Sequence, residues 1–486
     1  MRTETASEAE PPAVRDYRGL HLIAGPLAFV LLLGSPGLHM TYAVRCGFGL
    51  LLWTAWWWIT RPVHLAVTGL LPLVIVAVTN FVPVADVLPS YADELVVLLL
   101  GANILSVAWQ RWGLDRRIAL ASLIGVGTSA VRQIVVWFLV SAALSAFLPR
   151  SVVAATMVPI VIAMMRYIGI TDLWSSRLGT SLVLAVAWGA SSGGFLTPLG
   201  GAPNLLAMKL VESTITHHEF LFVTWVARLL PLSIVVIGSI LLYVRFAFTS
   251  EVTEVPGSRD YFNRELRALG SMTLEEKWGL ILFGLATILA FTRQLYAGSL
   301  PGMSPAFTFL AFGLSTFLVR VSGRQLLSWE YAQKEIMWGL LCVFAGGSAL
   351  GAIMTKSGTA QYLAEFIRPF LSGSDLTAVI LVTALTLAIA QIVSNVAAVA
   401  ITVPIVISVF TTAGKNPIPY VYVVVAAGHC GFMLPSSAGS SAIAAGYGVN
   451  LKTMFVEGFR AALVCLVVIA GLSYLLMLFW PSFGTA

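Results

Sequence analysis

The chain has 486 residues, of which 58% are hydrophobic and only 10% are charged, and its formal net charge is +6 at pH 7. About a quarter of the residues in a soluble protein are charged, so this composition excludes a soluble enzyme and predicts a protein of the lipid bilayer. The net charge does not predict nucleic-acid binding, because most arginines stand in short loops between apolar segments, the positive-inside bias of membrane proteins. The four cysteines lie singly in apolar runs and predict neither a disulfide nor a metal site.

Taken in chain order, the sequence begins with a polar tail and continues as a series of apolar segments. Residues 1–20 lack the apolar core of a signal peptide, which predicts a disordered cytoplasmic tail. Membrane spans are predicted near 22–38, 42–59, 63–83, 92–110, 179–192, 221–248, 278–292, 303–320, 336–355, 418–433 and 456–480. The polar stretch 249–277 predicts a connection on the cytoplasmic side.

Two further apolar segments, near 133–165 and 377–412, are each interrupted at the middle by polar residues. Arg150-Ser151 interrupts the first segment and Ser394-Asn395 the second, and Arg150 aligns with Asn395 at an offset of 245 residues. Paired interruptions of this kind are typical of re-entrant helical hairpins whose tips form the binding site of a repeated transporter.

Loop charge predicts how the two repeats are oriented. The loops that carry most of the arginines and lysines alternate along the chain, which predicts a cytoplasmic N-terminus in the inner (plasma) membrane. The first hairpin then opens to the cytoplasm and the second to the outside, so residues 21–248 and 278–480 are predicted to be inverted copies. Beyond the hairpins, Gly194–Pro198 matches Gly431–Pro435 at a smaller offset of 237 residues.

Several motifs resemble those of the divalent anion:sodium symporter (DASS) family, the INDY-type transporters. Trp56–Pro62 and Leu71–Leu73 resemble the opening motif of that family, and Leu327–Lys334 and Phe344–Gly347 follow in the family's order. The resemblance covers residues 50–480. It implies an all-α polytopic membrane protein with about 11 transmembrane helices, two re-entrant hairpins in an inverted repeat, and elevator-type scaffold and transport domains. It also implies a homodimer that carries a dicarboxylate, citrate or sulfate, usually with Na⁺.

The resemblance places the site at the two hairpin tips and at two loops that follow broken spans. The candidates for substrate binding are Arg150, Ser151, Gly201, Ala202, Pro203, Ser394, Asn395, Ala438 and Gly439. The candidates for coupling an ion are Ser145, Gly200, Asn395, Ser437 and His429, with Asn395 as the sodium ligand and no other cofactor. Helix N-termini at the tips favour an anion, whereas the alternative is that the Ser and Asn residues only cap their helices.

Arg150 departs from the family at the most informative position, where relatives have an asparagine that helps to hold a Na⁺ ion. Two like charges 4 Å apart repel by about 4 kcal/mol at an effective dielectric of 20, so a guanidinium and a Na⁺ ion are poor neighbours. One interpretation is that Arg150 replaces the first Na⁺ and binds an anionic group with its planar fork. The other is that Arg150 points away and reaches the cytoplasmic surface.

These features together predict a secondary active transporter of a small anion, di- or tricarboxylate-like, with reduced or absent sodium dependence. Exchange, or a proton carried by His429, would then provide the coupling. One alternative is an ordinary sodium-coupled dicarboxylate or sulfate symporter. Another, from a different class, is an anion channel or a substrate-sensing membrane receptor on the same scaffold. No nucleophile–base pair, Walker motif or metal cluster occurs in the sequence, so no enzymatic activity is predicted.

Overall fold

The structure is a computed structural model, and it describes residues 18–35, 40–170, 176–248, 253–321, 323–363, 365 and 374–486. The predicted N-terminal tail lies outside these residues, except for its last three, which begin the first helix. Residues 249–252 of the predicted connection also lie outside them.

The first half of the chain folds into helices wherever the sequence is continuously apolar. These helices are α1 (Arg18–Leu33), α2 (Tyr42–Thr60), α3 (Leu65–Thr79), α4 (Val84–Val87), α5 (Glu94–Trp112), α6 (Leu114–Leu123), α7 (Ala130–Ser145), α8 (Arg150–Tyr167), α9 (Arg177–Gly193), α10 (Ala202–Val211) and α11 (Phe222–Ala247). Helix α6 was not predicted, because it is short and carries charged residues that mask its apolar face.

The second half begins with α12 (Ser258–Ala268), an amphipathic helix within the polar connection. It continues with α13 (Leu274–Phe291), α14 (Arg293–Tyr296), α15 (Pro305–Leu318), α16 (Trp329–Glu335), α17 (Trp338–Lys356), α18 (Asp375–Ile392), α19 (Asn395–Thr412), α20 (Ile418–Gly428), α21 (Gly439–Gly446) and α22 (Leu451–Phe479). Between α15 and α16, the two-residue strands β1 (Arg320–Val321) and β2 (Arg324–Gln325) pair antiparallel, with Arg320 opposite Gln325. In the described part of the chain, seven helices are long and apolar enough to cross a membrane, and five shorter helices are apolar.

The element boundaries repeat along the chain as the sequence predicts. Helices α18 and α19 begin 245 residues after α7 and α8, and α21 begins 237 residues after α10. The same spacing relates the ends of α5 and α17, where Gly113 and Gly358 both take left-handed backbone angles, φ 71° and φ 75°. Residues with side chains rarely adopt these angles. A glycine therefore stands at the end of each helix, as the C-cap of α5 and one residue after the C-cap of α17. The element boundaries of the two halves therefore recur at the spacing of the sequence match, and the polytopic all-α fold is confirmed. That the halves are inverted copies stays a prediction.

Close helix crossings join one repeat to the other. Helix α17 packs on α3, and a Cβ atom at Gly346 would lie 2.3 Å from the carbonyl oxygen of Gly69. Helix α5 packs on α15 in the same manner, and a Cβ atom at Gly101 would lie 2.4 Å from the backbone nitrogen of Leu310. Small residues at such crossings let membrane helices approach closely, which provides packing energy that lipid cannot replace.

The core lies at α9 and α20, which are enclosed by the hairpins. Every residue of α20 is buried, and so is every residue of α9 from Leu178 to Gly193. A helix that is apolar on all sides is buried within the protein rather than placed against water or lipid on one side. Helices α7 and α8 of the first hairpin pack on α9, and α18 and α19 of the second pack on α20.

We expect Gly346→Ala to destabilise the protein, because its methyl group would overlap the backbone of α3 at Gly69. Overpacking of this kind destabilises by about 1–3 kcal/mol. The measurement is the thermal unfolding midpoint of the purified protein in detergent. Gly471→Ala on α22 is the matched control, because no atom lies within 4 Å of the added methyl group. Equal midpoints for the two variants would contradict the proposed close crossing.

Candidate functional site

A cavity of about 520 Å³ lies where the two hairpin tips meet. Nine of the residues singled out from the sequence line it: Arg150, Ser151, Gly200, Gly201, Ala202, Ser394, Asn395, Ala438 and Gly439. We call this side of the cavity the hairpin wall. The facing side, which we call the opposite wall, consists of His64, Leu65, Met337, Gly339, Leu340 and Val343. The structure thus brings together residues from both repeats that are far apart in sequence.

Four helices begin at the hairpin wall. Helices α8, α10, α19 and α21 start at Arg150, Ala202, Asn395 and Gly439, and all four residues line the cavity. The first turn of each helix has backbone N–H groups without intrahelical acceptors, and the helix dipole adds partial positive charge there. None of the described residues that line the cavity is Asp or Glu. This wall is therefore electropositive and suits an anion.

Arg150 adds a full positive charge to the hairpin wall. Its side chain is half-buried, and its Nη1 atom is fully buried without a hydrogen-bond partner among the described residues. Its Nη2 atom lies 3.3 Å from the position that a Cβ atom at Gly201 would occupy. The guanidinium thus lies at the cavity, beside the start of α10. An unpaired buried guanidinium is costly unless an anion or water pairs with it.

The second hairpin tip is held by hydrogen bonds. Ser394 caps α19, since its hydroxyl accepts from the Ala397 N–H at 3.3 Å, which agrees with the simple capping interpretation for this residue. The Asn395 backbone N–H donates to the Ser437 carbonyl at 3.2 Å, and its Nδ2 donates to the Ser191 hydroxyl at 3.5 Å. The Asn395 Oδ1 atom is buried and has no partner in the described part of the chain.

Two oxygen atoms lie close to Gly431, near the second tip. A Cβ atom at Gly431 would lie 2.5 Å from the Ala390 carbonyl oxygen and 3.2 Å from Asn395 Oδ1. Carbonyl and amide oxygens are the ligands that hard cations prefer, and carbonyls at broken helix ends hold Na⁺ in transporters. The orphaned Oδ1 and the neighbouring carbonyl therefore fit a sodium ion.

The equivalent position in the first repeat is built differently. Gly194 corresponds to Gly431, and a Cβ atom there would lie 3.0 Å from the Gly200 carbonyl oxygen and 3.4 Å from His429 Nε2. His429 is fully buried, its Nδ1 donates to the Val425 carbonyl at 3.0 Å, and its Nε2 has no described partner. A Cβ atom at Gly201 would lie 2.5 Å from the same Nε2. With this imidazole and the Arg150 guanidinium in place, the first position does not fit sodium.

The remaining residues singled out from the sequence lie behind the cavity. Pro203 is buried in the first turn of α10. The Ser145 hydroxyl donates to the Ala190 carbonyl at 2.6 Å, and the Ser437 hydroxyl to the Leu434 carbonyl at 2.7 Å. The role of Pro203 in substrate binding, and those of Ser145, Ser437 and His429 in ion coupling, stay predictions.

Sequence reasoning missed the whole opposite wall. Five of its six residues are apolar or glycine and look like any other part of a membrane helix. His64 was the one available signal, since it is a histidine at the start of a continuously apolar segment.

Solved structures of other transporters share this fold. The Alcanivorax borkumensis YdaH transporter matches with a TM-score of 0.55 and 13% identity, over 82% of this chain and 88% of that one. Neisseria gonorrhoeae MtrF, described as illuminating a class of antimetabolite efflux pumps, matches with a TM-score of 0.53 and 12% identity, over 93% of this chain and 96% of that one. At such low identity the likeness concerns the fold alone.

Relatives with higher sequence identity are sodium-dependent dicarboxylate transporters named SdcS. The protein from Staphylococcus saprophyticus is 31% identical over 473 residues, which cover 94% of this chain and 91% of the relative. The protein from Staphylococcus aureus is 29% identical over 474 residues, which cover 94% and 90%. The family described as the sodium:sulfate symporter transmembrane region matches residues 18–484. The chain therefore belongs to this family, the divalent anion:sodium symporters, and is a multi-pass membrane transporter of small anions.

Proposed function

We propose that the protein is a sodium-coupled transporter of a dicarboxylate. The observation that carries this proposal is the hairpin wall, where four helix N-termini and the unpartnered Arg150 Nη1 meet in one cavity. Among the described lining residues no carboxylate would repel a dianion. The printed names of the staphylococcal relatives, sodium-dependent dicarboxylate transporters, support both the carboxylate and the sodium.

The relatives favour sodium coupling over the reduced or absent sodium dependence that Arg150 led us to expect. The two oxygen atoms at Gly431 support the same choice, because Asn395 Oδ1 and the Ala390 carbonyl would hold the ion. A bound Na⁺ would supply positive charge beside the Asn395 Oδ1 atom at the second hairpin tip.

Proton coupling through His429 is the weaker alternative. Its Nδ1 already donates to the Val425 carbonyl, so a second proton would sit on Nε2. Nε2 and the Arg150 guanidinium both lie against Gly201. A proton on Nε2 would therefore place a second positive charge beside the guanidinium, and neighbouring like charges repel strongly in a buried site. His429 is therefore better suited to a neutral imidazole that packs beside Arg150.

Four further expectations accompany the proposal. We place the protein in the plasma membrane, as its bacterial transporter relatives imply. The cytoplasmic N-terminus rests on loop charge, and the homodimer and elevator-type domains rest on the family resemblance.

The direct test of the proposed function is uptake of labelled succinate into proteoliposomes. We expect uptake with external Na⁺ and little uptake when choline replaces it, because sodium would balance part of the substrate charge. Internal unlabelled succinate should stimulate uptake, which an anion channel would not show. Sodium-independent uptake would contradict a sodium-coupled carrier.

A second prediction concerns Arg150. Arg150→Ala should weaken succinate binding by about 30-fold or more, since removing one member of a desolvated charge pair costs several kcal/mol. Arg150→Lys should recover only part of the affinity, because the planar fork is lost. Binding is measured by succinate-dependent thermal stabilisation, which follows mass action. Arg166→Ala, at the exposed end of the same helix, is the matched control. Wild-type affinity in Arg150→Ala would show that the guanidinium does not contact the anion.

A third prediction concerns sodium and Asn395. Asn395→Ala removes the orphaned Oδ1, so we expect the Na⁺ concentration for half-maximal uptake to rise by about tenfold. Expression should stay at the wild-type level. Thr412→Ala, at the exposed far end of α19, should leave sodium activation unchanged and serves as the control. An unaltered sodium curve in Asn395→Ala would reduce this residue to a structural part of the tip.

A further inference from the structure

We propose that His64 is a specificity-determining residue that binds the second anionic group of the substrate from the opposite wall. The substrate would then be a dianion with its charges at two ends, such as an α,ω-dicarboxylate, rather than a compact dianion such as sulfate. This inference rests on the proposed function and names the substrate class of the same cavity.

The imidazole of His64 has one ring nitrogen engaged and one free. His64 is the N-cap of α3, and its Nδ1 accepts a hydrogen bond from the Ala66 N–H at 3.3 Å. Because Nδ1 acts as the acceptor, the ring proton is on Nε2. Nε2 makes no hydrogen bond to the described residues, and the side chain is exposed and lines the cavity. A free N–H donor thus faces the space where the substrate would bind.

The position of this ring is fixed by its surroundings. On one side it packs against α17, since a Cβ atom at Gly339 would lie 3.0 Å from His64 Cε1. On the other side the preceding turn is tied down, because Arg61 takes a left-handed conformation and its Nη2 donates to the Ser436 carbonyl at 2.5 Å. Ser436 belongs to the loop that leads to α21 and the hairpin wall. The turn that bears His64 is therefore held directly against the site.

The other side chains of the opposite wall offer no hydrogen bond to a second charge. Leu65, Leu340 and Val343 are apolar, Gly339 has no side chain, and Met337 already accepts a weak contact from Ser151 through its sulfur at 3.6 Å. Helices α3 and α17 begin at this wall and add partial positive charge there, but a carboxylate that met only these side chains would lose hydration that they do not replace. Of the described residues on this wall, His64 alone offers a side-chain N–H donor.

The two walls therefore discriminate between kinds of dianion. One carboxylate group is satisfied by Arg150 and the helix N-termini of the hairpin wall. A linear dicarboxylate extends its second group across the cavity to His64, whereas both charges of a tetrahedral sulfate remain at the hairpin wall. A site built to hydrogen-bond a given group rejects analogues that lack it, so His64 favours the longer anion.

The experiment measures dissociation constants of succinate and sulfate for the purified full-length protein by isothermal titration calorimetry with Na⁺ present. We expect His64→Asn, which keeps the N-cap hydrogen bond but is too short to span the cavity, to weaken succinate binding about tenfold. Sulfate binding should stay within about twofold. His64→Gln, which retains a donor amide at longer reach, should recover most of the succinate affinity. His218→Ala, a histidine in the exposed loop before α11, is the matched control.

The outcomes separate this inference from the proposed function. If the wild-type protein binds neither anion, or binds sulfate but not succinate, the inference and the proposed function are both overturned. If the wild type binds succinate and His64→Asn binds it as tightly, the inference alone is overturned. Equal weakening of succinate and sulfate also overturns it, because the residue would then support the site without discriminating between substrates. Selective loss of succinate affinity, with an unchanged thermal unfolding midpoint, supports it.

Discussion

Four helices begin in the interior of a membrane protein, and this constraint shapes the rest of the structure. Their first backbone N–H groups have no partners within the helix, and the hydrocarbon of the bilayer offers none. Non-helical backbone at this depth is tolerated only beside protein or a water-filled cavity. The hairpin tips and the loops before α10 and α21 meet this requirement by converging on one cavity. The need to satisfy broken helix ends and the ability to bind an anion thus have a single origin.

Convergence of these ends depends on close packing elsewhere. Helices α9 and α20 support the two tips, since the first hairpin packs on α9 and the second on α20. Gly69 and Gly346 bring α3 and α17 together, and the start of both helices forms the opposite wall. Small residues therefore hold together the two helices that carry this wall.

Much of the fold can be predicted from the sequence, because the sequence features that predict it are local. Apolar runs give the spans, polar interruptions give the hairpin tips, and glycines such as Gly113 and Gly358 recur where each repeat needs a left-handed residue. The hairpin wall follows from the same signals. The opposite wall does not, because its apolar residues resemble lipid-facing ones and their neighbours come from distant helices. The contact of His429 with Gly201 cannot be predicted from the sequence either, because the two residues belong to different halves of the chain.

The two halves of the site have diverged in how they provide positive charge. At the second tip an orphaned amide oxygen and a carbonyl fit a cation that can enter and leave, whereas at the first tip Arg150 is a charge that stays. Release of the substrate would leave the Arg150 Nη1 unpaired again. The more Arg150 contributes to the free energy of binding, the more its loss of a partner destabilises the empty site. A mobile sodium ion has no such effect, because it departs with the anion. Repeated structure therefore does not impose repeated chemistry. The two tips carry different groups at equivalent positions, Arg150 and Asn395, and in the function we propose the first is a permanent partner of the anion and the second a ligand of the coupling ion.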